Sequence, residues 1–153
     1  MNIYCPNKWS ILALEQLSES PKTDMVGGPF GSNLKASEYV STGIPIIRLQ
    51  NVDRFNFLDK NIKYVTPQKA IFLKSHSYKK NDIVLTKLGD PLGKCCLVPD
   101  DIKFEKGVLS SDIVRIRIDE KSYNKRFLVS PTWHSQNQTG IPYRTKRLSG
   151  GLF

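Results

Sequence analysis

Three polar side chains that can make paired hydrogen bonds stand close together in the segment IPIIRLQNV, at Arg48, Gln50 and Asn51. Arginine can donate two hydrogen bonds to the edge of guanine, and glutamine or asparagine can pair with adenine in the same bidentate way. The same residues also suit a structural role, in which the amides cap the end of a strand and Arg48 pairs with a nearby carboxylate. The residue types leave both interpretations open.

A second set of side chains could contact phosphate groups, which position a protein on nucleic acid without specifying sequence. It comprises Lys35, Lys87, Lys94, Arg144, Lys146 and Arg147. Loops rich in glycine and lysine recur at 27–35, 87–94 and 140–151. The whole chain carries 23 Lys and Arg against 14 Asp and Glu, a net charge of +9. This surplus favours a polyanionic partner, nucleic acid before an acidic membrane or protein, although solvated lysines would give the same pattern.

The motifs of most catalytic and metal sites are missing from the sequence. His76 and His134 are far apart, and no HExxH, CxxC, GxSxG or GxxxxGK[ST] pattern occurs. We therefore expect a chain that is not an enzyme and binds no metal or cofactor. The cysteine count is odd and no window reaches about 18 apolar residues, so we expect reduced thiols, a cytoplasmic location and no membrane contact.

Short apolar segments separated by turns predict one domain over residues 1–153, with its core at 8–150. The expected fold is mixed α+β, with a twisted, largely antiparallel sheet and several short helices. Thr66 and Pro67 are typical of a helix start. The alternation in SSDIVRIRID predicts a half-buried strand with Arg115 and Arg117 on a basic outer side.

Several further residues have an expected position relative to the core. Leu49 is expected to face inward on the strand that contains Arg48, and Phe72 to lie in the core. In the segment GGPFGS, the glycines Gly27, Gly28 and Gly31 are expected to permit positive φ angles and to remove side-chain bulk. Pro29 and Phe30 are expected to anchor this loop rather than to contact a partner.

The stretch GGPFGSNLKASEYVSTGIPIIRLQNV resembles the opening of a target recognition domain from the specificity subunit of type I restriction-modification systems. That family reads G-P-F-G-S-x-L-k, a tyrosine, then G-I-P-[VIL]-[IL]-R-x-x-[ND]. The matching residues are Gly28, Pro29, Phe30, Gly31, Ser32, Leu34, Lys35, Tyr39, Gly43, Ile44, Pro45, Arg48 and Asn51. Two later segments, KKNDIVLTKLGDPLGKCCLVP and TGIPYRTKRLSGGLF, are similar to later family elements and follow in the same order.

The resemblance implies a reader of double-stranded DNA that recognises one half of a bipartite target. Base readout would fall to Arg48, Gln50 and Asn51. The family's methyltransferase and restriction subunits, with their S-adenosylmethionine, ATP and Mg²⁺, dock on long spacer helices. No spacer helix is found before the chain ends at Phe153, so docking is expected to be weakened. The chain would be a fragment or a natural truncation. The alternatives are a basic protein-interaction module and an inactive remnant.

Overall fold

A computed structural model describes residues 12–89 and 92–130 of the chain. In this part of the chain, eight strands form two four-stranded sheets, accompanied by short helices. The strands are β1 (Met25–Gly27), β2 (Ile44–Ile47), β3 (Lys63–Val65), β4 (Ser77–Lys79), β5 (Ile83–Thr86), β6 (Cys95–Leu97), β7 (Lys106–Leu109) and β8 (Ile113–Ile116). The α-helices are α1 (Pro21–Asp24), α2 (Pro67–Phe72) and α3 (Lys125–Leu128). The predicted mixed α+β fold is confirmed.

The strands pair in two separate sheets, so the expectation of one sheet is wrong. The first sheet has the order β1-β8-β5-β6 and is antiparallel throughout. The second has the order β3-β2-β7-β4, and its β2–β7 pair is parallel while its other pairs are antiparallel. The largely antiparallel character is therefore confirmed. Local sequence patterns identify strands but not their partners, which is why the division into two sheets was not foreseen.

The main core lies where side chains of both sheets pack together. Ile47 and Leu109 of the second sheet join Val84, Cys96 and Ile113 of the first in one buried cluster. Burial raises the pKa of Cys96 to about 12, so its thiol stays protonated and packs as a small apolar group. The core thus ties the two sheets into one unit over the described residues.

Helix α2 begins as predicted. The Thr66 hydroxyl accepts a hydrogen bond from the backbone N–H of Lys69 at 3.2 Å, and Pro67 occupies the first turn. The helix spans six residues and turns Ala70 and Leu73 toward the core. Phe72 is therefore 67% exposed, and the prediction that it lies in the core is wrong.

The arginines of β8 do not form a basic outer side. Arg115 is only 4% exposed, and its guanidinium donates to the backbone carbonyl of Ser77 at 2.6 Å and to that of Thr23. The prediction is wrong for Arg115 because β8 is an inner strand, between β1 and β5, and other elements cover this face. Alternation along a strand separates two faces without showing which of them is covered.

Arg117, just after β8, makes a paired contact with a buried carboxylate. Its Nε and Nη2 donate to the two oxygens of Asp82 at 2.6 and 2.8 Å. The side chain of Asp82 is 2% exposed, and it also accepts the backbone N–H of Lys79 at 2.8 Å. The hydrogen bond to Asp82 raises the pKa of Arg117. This ion pair joins the start of β5 to the end of β8.

Candidate nucleic-acid interface

Several strands meet at one end of the molecule, where backbone hydrogen bonds join the segments that follow them. The N–H of Gly28, after β1, donates to the Ile113 carbonyl at 2.8 Å. The N–H of Ser110, after β7, donates to the Ile47 carbonyl at 2.9 Å. We call this the strand-end surface and define it as residues 27–32, 48–51, 87–89, 94 and 110–112. It unites the Arg48 segment with the first two glycine- and lysine-rich loops; the third, 140–151, lies outside the described residues.

Glycine is required at position 28 because there is no room for a Cβ atom, and not because of its backbone conformation. A Cβ atom at this position would lie closer to the backbone carbonyl oxygen of Ser110 than two non-bonded atoms can approach, and 3.0 Å from the Ser111 nitrogen. The predicted positive φ is wrong for Gly27, Gly28 and Gly31, since none of them has one. The predicted removal of side-chain bulk is confirmed at Gly28, where two backbone segments touch.

Positive φ angles occur instead in the second loop of the strand-end surface. Gly89 has a φ of 106° and Gly93 a φ of 77°. Residues with a Cβ rarely adopt such angles, so glycine is favoured at both positions. A Cβ on Gly89 would lie 3.5 Å from Leu49 Cδ1, which places this loop directly against the Arg48 segment.

The tip of the first loop divides into a buried and an exposed side. Pro29 and Leu34 are buried, as expected for anchors of the loop. Phe30 is 85% exposed, so the expectation that it anchors the loop is not met. Its carbonyl accepts the N–H of Asn33 at 2.8 Å and closes a 3-10 turn over Gly31–Asn33, which leaves the ring pointing away from the core.

The Arg48 segment leaves β2 through a 3-10 turn, and this turn decides which side chains are exposed. β2 ends at Ile47 and the turn spans Leu49–Asn51. Leu49 is consequently 37% exposed, and the prediction that it faces inward is wrong because strand alternation stops before it. The Arg48 Nη2 donates to the Asn61 carbonyl at 2.7 Å, and the guanidinium carbon lies 5.9 Å from the centre of the Tyr39 ring.

Gln50 and Asn51 are neighbours with similar amides in opposite surroundings. Gln50 is exposed, and its Nε2 donates to the same Asn61 carbonyl at 3.4 Å. Asn51 is fully buried. Its Oδ1 accepts the Arg48 N–H at 3.1 Å, and its Nδ2 donates to the carbonyls of Leu58 at 3.0 Å and Lys60 at 2.9 Å. Asn51 holds the turn together, Gln50 is exposed, and Arg48 is half-buried, with its Nε buried and without a hydrogen-bond partner among the described residues.

Asn51→Ala is expected to lower the free energy of unfolding by about 2 kcal/mol, because it leaves buried backbone groups without partners. Urea denaturation followed by circular dichroism measures the change. Gln50→Ala is the matched control and should lie within about 0.5 kcal/mol of the parent, since its amide is exposed. Equal stability of the two variants would contradict the structural role of Asn51.

The predicted phosphate-binding lysines differ in the neighbours of their side-chain ammonium groups. The Lys87 Nζ lies 3.1 Å from the point where a Cβ of Gly27 would stand, so its stem crosses the first loop. Partial burial lowers the pKa of Lys87, and nearby Asp112 opposes this shift. The Lys94 Nζ lies 3.2 Å from Asp53 Oδ1. Lys35 is exposed, and Arg144, Lys146 and Arg147 lie outside the described residues.

Two features of the strand-end surface were not singled out from the sequence. His76 Nδ1 lies 2.7 Å from the Gly27 carbonyl, although the two residues are distant in the chain. Ser110 is buried, and its hydroxyl finds no hydrogen-bond partner within the described residues. The segment SSDIVRIR contains a serine pair before β8, which was the available signal for the second feature.

The described residues offer no assembled metal site: within 12–89 and 92–130, no group of three or more His, Cys, Asp or Glu side chains could hold an ion. In the same part of the chain, no helix is long and apolar enough to cross a membrane. A scan against protein-family models finds no match to this chain, and a search of curated proteins finds none either.

Proposed function

We propose that the chain recognises one half-site of a bipartite target in double-stranded DNA, as the specificity component of a type I restriction-modification system. The observation that carries the proposal is the meeting of Arg48 and Gln50 with the 27–32 and 87–89 loops on one surface. Base-reading and phosphate-binding groups must lie together to engage one duplex. In the sequence these groups are far apart, and the fold supports the proposal by bringing them to one end.

Arg48 and Gln50 would carry the base readout. Both donate to the Asn61 carbonyl, and both hydrogen bonds leave donors unused. On binding, the guanidinium would exchange this carbonyl for guanine O6 and N7, and the amide would pair with adenine. Asn51 contributes by holding the turn that presents them.

Lysines at the rim would contact phosphates and set the register on the duplex. The Lys87 ammonium group lies against Gly27 of the first loop, and Lys35, at the end of the same loop, is exposed. Lys94 would exchange Asp53 for a phosphate. Arg144, Lys146 and Arg147 are assigned the same role from the sequence. Such contacts release counterions, so binding should weaken as salt rises.

The proposed role also defines partners and location. Methyltransferase and restriction subunits would act on the DNA that this chain selects, using S-adenosylmethionine, ATP and Mg²⁺ bound to themselves. The chain itself would bind no cofactor and catalyse no reaction. Because the proposed partner is double-stranded DNA, the proposal includes a cytoplasmic location.

Arg48→Ala is expected to relax recognition at one base pair of the half-site by about 10- to 100-fold, since each bidentate contact is worth roughly 1–3 kcal/mol. The measurement is selection from a randomised duplex library at two salt concentrations, with the bound sequences counted for parent and variant. Enrichment of one short motif by the parent, with loss of preference at a single position in the variant, supports the proposal.

A comparison of two lysine variants distinguishes a local phosphate contact from the effect of the protein's overall positive charge on binding. Lys87→Ala should weaken all duplexes alike and reduce the salt slope by about one. Lys106→Ala removes an exposed lysine at the start of β7, away from the strand-end surface, and should change neither. If the two variants weaken binding equally, or the parent enriches no motif, half-site recognition is wrong.

A protein-interaction module is the second candidate, and two exposed apolar side chains favour it. Ile71 and Phe72 of α2 are 74% and 67% exposed. Exposed apolar side chains of this size are often contact sites. Salt-sensitive DNA binding without enrichment, together with loss of a subunit contact in Ile71→Ser, would support this candidate. An inactive remnant would show neither behaviour.

A further inference from the structure

We infer that Phe30 is an apolar wedge that inserts between base pairs of the half-site and kinks the duplex. The inference rests on the proposed function and goes beyond it, because it assigns a contact by shape and not by hydrogen bonding.

The loop is fixed on both sides of the ring. On one side, Gly28 donates to the Ile113 carbonyl at 2.8 Å and packs against the Ser110 backbone, and Pro29 is buried. On the other side, the 3-10 turn closed by the Phe30 carbonyl leads to buried Leu34. A loop held this way loses little conformational entropy when it binds, so its tip is preorganised for contact.

The tip itself is narrow and ends in one large apolar group. Phe30 is 85% exposed, the highest exposure among the large hydrophobic side chains of the described residues. Next to it, Gly31 has no side chain, and a Cβ placed there would meet nothing within 4 Å. The ring can therefore enter a narrow space without a neighbouring side chain blocking it.

The surroundings of the ring favour nucleic acid over an apolar protein pocket. Lys87 crosses the loop at Gly27, and Ser32 and Asn33 are exposed polar residues beside the tip. A phenyl ring on a loop that has a cation at its base and exposed polar residues after it matches a duplex, in which an apolar base stack lies behind phosphates and polar base edges. Apolar side chains that enter base steps unstack them and bend the duplex by roughly 20–90°.

The experiment uses the full chain and the duplex enriched from the randomised library, carrying donor and acceptor dyes at its two ends. Parent protein should raise the energy transfer, since a kink brings the ends together. Phe30→Ala should bind about tenfold more weakly and leave the duplex straight, because a stacked side chain is lost. Phe30→Leu keeps an apolar wedge and should retain most of the bend.

Phe72→Ala is the matched control, an exposed phenylalanine on α2 outside the strand-end surface, and should bind and bend as the parent does. A parent complex that selects a motif without bending it overturns the wedge and leaves half-site recognition standing. The wedge is also overturned, with half-site recognition standing, if Phe30→Ala bends the duplex as the parent does. The same holds if Phe30→Ala loses only the contact with a methyltransferase subunit. A parent that selects no motif overturns the proposed function itself.

Discussion

Gly28→Ala is expected to lower the free energy of unfolding by about 3 kcal/mol or more. The added methyl group would overlap the backbone carbonyl of Ser110, and backbone cannot move aside as the end of a flexible side chain can. Either the hydrogen bond from Gly28 to Ile113 breaks or the β7–β8 connection shifts. Urea denaturation followed by circular dichroism measures the loss.

Gly31→Ala supplies the control from the same loop. Its added methyl group would meet nothing within 4 Å, and Gly31 has no positive φ. We expect its stability to stay within about 0.5 kcal/mol of the parent. Similar losses at both glycines would mean that the loop needs glycine for flexibility, which would contradict the packing argument.

Arg117→Ala is the second change with a large expected effect, about 3 kcal/mol. Removing one partner of an ion pair leaves the other charge unpaired, and Asp82 is 2% exposed. The expected loss of stability is at the lower end of the range for buried ion pairs because Arg117 is 31% exposed. Water could therefore enter beside Asp82 once the arginine is gone. Thermal and urea unfolding both report the change.

Two comparisons test the cause of this loss. Lys80→Ala removes an ion pair of similar length, 2.8 Å to Glu105, but Glu105 is 82% exposed and the expected loss is below about 1 kcal/mol. The double variant Asp82→Asn with Arg117→Ala should recover part of the stability, since the unpaired charge is gone. No recovery would show that Arg117 acts through packing and not through its charge.

These two positions also affect how binding data are interpreted. Gly28 lies on the strand-end surface, yet a substitution there would weaken the proposed DNA binding by destabilising the fold. Arg117 lies at the opposite end of β8 and would do the same. Binding measurements on either variant, and on half-buried Arg48→Ala, therefore need a stability measurement beside them, whereas Phe30→Ala changes an exposed side chain.

Local features of the structure could be predicted from short stretches of sequence. The Thr66 cap and Pro67 start helix α2, and strand β8 forms within the alternating segment SSDIVRIRID. Capping, strand preference and turn formation depend on interactions within a few residues. The recurrence of glycine- and lysine-rich loops was equally visible, and the fold places two of them side by side.

Exposure could not be predicted in this way, and the amide pair shows why. Gln50 and Asn51 offer the same chemistry in adjacent positions, and only one of them is buried. What separates them is the carbonyls of Leu58 and Lys60, which another part of the chain brings to Asn51. The same holds for Arg115, which is buried because α1 and β4 cover its face.

By itself, the sequence determined the mixed α+β class and the start of α2, and it supplied the side chains that are proposed to contact DNA. Only the tertiary structure decided that the strands form two sheets, that Gly28 is required by the Ser110 backbone, and that Phe30 faces solvent while Asn51 does not. The physical reason is the separation along the chain over which each interaction acts. Caps and strand preferences act between neighbours in the chain, whereas burial and close backbone approach are set by segments that meet only after folding.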